Sequence, residues 1–169
     1  MARLCPPYAV NASGAKQMGL IRRWLSGLVR RPLELDDVFF GRLVSMGSYW
    51  EARRPFSPTR TEIELFIDAP GERQPPNQRQ REFFAWVERD YADIIRNVDQ
   101  VARPIRERWF RKPTEGPFEA EFILSSFSIP LPRDGAAGWE MSFDSRTDPN
   151  HILVVELRGA EALVARMDG

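Results

Sequence analysis

The clearest periodicity in the chain is an apolar stripe at alternating steps of three and four: Phe84, Val87, Tyr91, Ile94, Val98, Val101 and Ile105. That spacing puts them on one face of an α-helix, and such a face must be covered by a core or a sheet. Asn77 stands where an N-cap is wanted. Pro104 lacks an N–H and clashes with the preceding turn. The pattern therefore predicts a long helix near 78–102 and a short one from about 104 to 111.

On either side of this helix the period changes to two. Thr61–Asp68 sets Ile63, Leu65 and Ile67 on one face and Glu62, Glu64, Phe66 and Asp68 on the other, the alternation of a half-covered strand. Before it, Val38–Met46 is apolar-rich around Gly41, a candidate bulge. Gly47-Ser48 supplies a turn, Tyr49-Trp50-Glu51 starts another strand, and Pro55 and Pro58 fit the loop after it. Beyond the helix, Phe118, Ala120, Phe122 and Leu124 alternate with Glu119, Glu121 and Ile123. Trp139, Met141 and Phe143 alternate with Glu140, Ser142 and Asp144. His151–Leu157 and Ala160–Met167 form a hairpin about Arg158-Gly159. The expected fold is α+β: an antiparallel meander of six to eight strands, one long amphipathic helix packed on one face, and a short basic N-terminal helix. Residues 33–169 form its single domain.

The N-terminal part reads differently. Residues 1–17 show no periodicity and are expected to be a disordered extension, with Met18 a candidate natural start. Residues 18–31 place Met18, Ile21, Leu25 and Leu28 at helical spacing, with Arg22, Arg23, Trp24, Arg30 and Arg31 among them, and Pro32 ends the pattern. This basic amphipathic helix has three readings: packing on the sheet, lying on an anionic membrane surface, or docking to a partner.

Charge sharpens the contrast. Residues 1–31 hold six basic residues and no acid, leaving 18 basic and 24 acidic residues in the remainder. A nucleic-acid-binding domain shows a basic face, so an acidic body argues against nucleic acid. No apolar run approaches a membrane span and no signal peptide is evident, which makes the cytoplasm the expected compartment.

Most catalytic chemistry lacks its residues. Cys5 is the only cysteine and His151 the only histidine, so a thiolate cluster or a multi-histidine metal site cannot be assembled. His151, just after Asp148-Pro149-Asn150, reads as a structural residue at a strand end. No Gly-x-Ser-x-Gly elbow and no Gly-rich phosphate loop is present, and no cofactor is expected. Carboxylates do recur on strand faces, Glu62, Glu64 and Asp68 on one and Glu119 and Glu121 on another. Alternate strand positions lie roughly 6–7 Å apart, within reach of two-carboxylate hydrolysis, yet the wet face of a sheet needs the same pattern. Tyr49, Trp50, Trp139, Glu140 and Asp144 combine aromatics with acids in the way of protein interfaces. The alternative for both tryptophans is a place in the core.

Several runs together carry a resemblance: Met18–Leu25, Leu35–Leu43, Tyr49-Trp50-Glu51, Ile63–Asp68, the Gln78–Tyr91 helix start, Trp139–Asp144 and Met167-Asp168-Gly169. They resemble uncharacterised bacterial domains of unknown function, similar to the DUF2262 and DUF6985 types, over most of residues 18–169. The resemblance implies an association with polymorphic toxin systems, where some such proteins act as immunity proteins, and it supplies no catalytic residues. The leading expectation is a non-enzymatic protein-binding module whose acidic body suits a basic protein partner, with Tyr49, Trp50, Glu62, Glu64, Trp139, Glu140 and Asp144 as contacts. The alternatives are a carboxylate-dependent hydrolase and a peripheral membrane protein anchored by residues 18–31.

Overall fold

The computed structural model describes residues 32–69, 71, 74–111, 116–131 and 137–169. The expectations for residues 1–17 and for the basic helix, including Arg22, Arg23, Trp24, Arg30 and Arg31, lie outside these. Pro32–Gly169 form one compact unit.

Eight strands make one sheet whose spatial order is their order in the chain. They are β1 (Glu34–Asp37), β2 (Gly41–Ser45), β3 (Tyr49–Phe56), β4 (Thr61–Asp68), β5 (Phe122–Ile129), β6 (Gly138–Ser145), β7 (Ile152–Arg158) and β8 (Glu161–Asp168). Two helices separate β4 from β5: α1 (Gln78–Phe110) and a single turn, α2 (Phe118–Glu121). The fold is α+β with one long helix, but it is not one continuous meander. β4 and β5 pair in parallel, Leu65 opposite Phe127, whereas every other neighbouring pair is antiparallel. A crossover through a helix can return the chain in the direction it left, which a tight turn cannot.

Local chemistry explains where sequence pattern and structure part. Val38–Phe40 turn the chain between β1 and β2 instead of continuing a strand. Asp37 Oδ1 accepts the N–H groups of Phe39 and Phe40 at 2.8 and 2.9 Å, and Gly41 takes φ +76°, a region open to glycine at little cost. Pro55 lies within β3, opposite Glu62. The β2–β3 register stops at Ala52, so at Pro55 the strand is locally an edge and a missing N–H is tolerated. Phe118–Glu121 forms a helical turn where strand alternation was expected. A bulge at Leu124/Ser126 then resets the phase of β5, so that Phe122, Leu124, Phe127 and Ile129 are all buried.

Helix α1 opens on a capping box: Asn77 Oδ1 accepts the Gln80 N–H and Gln80 Oε1 accepts the Asn77 N–H, both at 3.1 Å. It runs unbroken through Pro104 to a left-handed cap at Arg111, where a break was expected. Pro104 is exposed while Ala102 and Arg106 around it are buried, so packing on both sides holds the axis. The buried stripe follows Phe84, Val87, Tyr91, Ile94 and Val98, then Ala102 and Arg106. Arg106 is fully buried, its charge met by Asp99 and by Glu121 at 2.9 Å.

The stripe lies on one face of the sheet. Phe84 stacks on Phe127 at 5.8 Å, and Phe56 meets both edge-on at 6.1 and 5.8 Å; such pairs add to the burial of their area. Trp86 and Phe83 close over Trp139. No described helix is long and apolar enough to cross a membrane.

Two outcomes follow for stability. Burial alone would raise the Asp37 carboxyl, but the Phe40 and Phe39 N–H groups and the Arg81 guanidinium, 2.8 Å away, hold it below its ordinary value. A depressed folded pKa stabilises above the unfolded value near 3.8 and is lost as pH falls through the folded pKa. Asp37→Ala should cost about 1–3 kcal/mol at neutral pH in urea denaturation, with a deficit that shrinks as pH falls below 3.8. Pro104→Ala restores an N–H inside α1 and should raise stability by roughly 1–3 kcal/mol in the same assay.

Candidate functional site

Helix α1 covers one face of the sheet and leaves the other to the strands' own outward residues. The registers arrange those residues in rows. One row reads Arg53, Glu64, Ser126, Ser142, Val154 and Arg166 from β3 to β8. Beside it run Glu51, Phe66 and Ser128, continued by Glu140, Glu156 and Val164, with Ser128 Oγ accepting the Glu140 N–H at 2.8 Å. A third row sets Ile123, Asp144, Ile152 and Asp168 side by side. The middle of this outer face is floored by short side chains; Ser126 is only 8% exposed and Val154 4%. Longer, charged side chains rise on both sides.

Acids dominate the rims, and the arginines among them are tied down. Arg53 pairs with Glu64, and Arg42 with Glu34 at 2.7 Å. Arg166 meets three carboxylates: Glu156 at 3.0 Å, Asp168 at 3.2 Å and Glu140 at 3.3 Å. Partial burial works against the Arg166 charge, but Glu140 and Asp168 outweigh it and hold its pKa above the ordinary value. Tyr49 leans on Phe66, ring centres 6.1 Å apart, and burial followed by the Glu51 charge pushes its phenol up. Next to these, an open depression of about 330 Å³ is lined by Arg42, Val44, Glu51, Arg53, Glu64 and Phe66.

Of the residues expected to contact a partner, Glu62, Glu64, Glu140 and Asp144 therefore share one face, with half-buried Tyr49 at its margin. Two belong elsewhere. Trp50 and Trp139, 1% and 3% exposed, point into the core, and their indole N–H groups donate to the carbonyls of Gln74 and Gly159, each at 2.8 Å. Glu51, Phe66, Glu156 and Arg166 belong to the face although nothing in the sequence reading selected them. The outward phase of Phe66 was visible in the alternation of β4, but the company of all four depends on strand order.

The other candidate chemistry is not gathered here. Glu119 and Glu121 fall in α2, where Glu121 serves Arg106. His151 immediately precedes β7, its Nδ1 2.8 Å from Asp148 Oδ2 and its ring 4.6 Å from that of Trp109. That contact, with smaller help from the Asn150 backbone N–H and then from Trp109, lowers the Asp148 pKa against the opposing effect of burial. Among the described residues no group of three or more acids, histidines or cysteines could hold a metal ion. No protein-family model, curated protein or solved structure matches the chain.

Proposed function

We propose that this chain is a non-enzymatic protein-binding module, immunity-like in kind, that receives a basic protein on the outer face of its sheet. The observation that supports this is the composition of that face: carboxylates from β4, β6, β7 and β8 surround a floor of short side chains and the half-buried Phe66. Complementary charge accelerates encounter and selects against acidic partners, while the sunken apolar and serine floor accepts the partner's protruding side chains. Arg42, Arg53 and Arg166 are each paired with carboxylates of the face itself, which reduces their repulsion of a basic partner.

Glu62 and Asp144 are exposed and stand at different places on the face. The test is a pull-down from lysate of the source organism with the tagged full chain, across a salt series. A basic protein should be retained at low salt and released as salt rises. The Glu62→Lys/Asp144→Lys variant should bind it about tenfold or more weakly, with an unchanged circular dichroism spectrum. Retention of the same proteins by both forms, at every salt concentration, would remove the outer face from consideration.

A further inference from the structure

The two edges of the sheet are built differently. β1 is four residues long, carries Glu34, Asp36 and Asp37, and turns the Asp37 carboxylate inward; short length and inward charge are devices that stop an edge from pairing. β8 is eight residues long, contains neither lysine nor proline, and exposes Leu163 (40%) and Val164 (50%). Among the described residues its only strand neighbour is β7.

The bulge in β8 gives this edge a specific pattern. Val164 stands opposite Glu156 and Ala162 opposite Leu157, leaving Leu163 as the extra residue. Ala162 and Ala165 turn toward the core. The outward set is then Glu161, Leu163, Val164, Arg166 and Asp168, with two adjacent apolar residues where a regular strand would show one.

We propose that β8 pairs antiparallel with β8 of a second copy of this chain, about a two-fold axis between Leu163 and Val164. In that register Leu163 faces Val164 of the other copy, Ala162 faces Ala165, and Glu161 faces Arg166, each twice by symmetry. Outward residues meet outward residues and inward meet inward. Because the bulge places two outward residues in succession, moving the register by two residues would set inward Ala165 against an outward residue. The charges alternate across the joint, since Arg158 already stands opposite Glu161 within each copy. The shift that brings Leu163 opposite Arg166 would also set Glu161 against Asp168, two acids face to face, which is unfavourable. Self-complementary charge and paired apolar residues at the axis make a second copy the fitting occupant of this edge.

The full chain should sediment as a dimer in analytical ultracentrifugation. Glu161→Arg and Arg166→Glu should each weaken the dimer by about tenfold, because each sets like charges opposite one another twice. An equimolar mixture of the two variants should recover it, since every such pair in the mixed dimer is again opposite in sign. Leu163→Lys/Val164→Lys, at exposed positions, should be monomeric with an unchanged circular dichroism spectrum. A wild-type chain that stays monomeric over the whole concentration range would overturn the proposal. So would a dimer indifferent to Leu163→Lys/Val164→Lys, or a mixture that associates no better than either variant alone. None of these readouts depends on the outer face having a basic partner.

Discussion

One helix has to cover eight strands, and the rest of the architecture answers to that constraint. A helix is about 10 Å across with its side chains, far narrower than eight strands spaced nearly 5 Å apart. The inner face is therefore filled by large side chains that reach toward α1 from a distance: Trp50, Phe56, Phe127 and Trp139 from the sheet, Phe84, Trp86 and Tyr91 from the helix. At β8 the requirement reverses. There α1 comes close, the inward strand residues include the small Ala162 and Ala165 beside Met167, and Asn97 of the helix donates to the Ala160 carbonyl at 3.0 Å. Big residues in the middle and alanines at the end are two answers to one geometric demand.

The same constraint leaves the opposite face to polar residues and short serines, because no second layer covers it among the described residues. Alternating charge is what such a face needs to stay hydrated, so the pattern alone does not identify a site. The arrangement of this face adds to its composition: acids stand on both rims, Arg42, Arg53 and Arg166 are paired with them, and a low floor lies between.

Much of this was legible in sequence. Period-two alternation correctly divided β4 and β6 into inner and outer residues, and period three-to-four gave the face of α1 and its cap at Asn77. Pro104 misled because propensity was weighed without the packing of Ala102 and Arg106 around it. Sequence alone leaves Trp50 and Trp139 open between interface and core for a related reason, and the structure places both in the core: an indole suits either until the carbonyl that receives its N–H is known. The parallel β4–β5 seam was out of reach for another reason. Pattern tells which way a side chain points along its own strand, but not which strand lies beside it, and the grouping of acids from β4 with those of β6 to β8 follows from that seam.

The seam also divides the molecule in time. β1 to β4 and β5 to β8 each consist of strands that are neighbours in sequence as well as in space, contacts that close at small entropic cost. The backbones of the two sets pair with one another where β4 lies along β5, and about fifty residues of chain separate those two strands in sequence, most of them in α1. Contacts between distant parts of a chain are the slow ones. Each half can therefore gather its strands early, while the inner face of both halves stays uncovered until α1 settles across them. A chain arrested before that step would show two apolar surfaces and a frayed central edge, and would be at its most prone to pairing with the wrong neighbour.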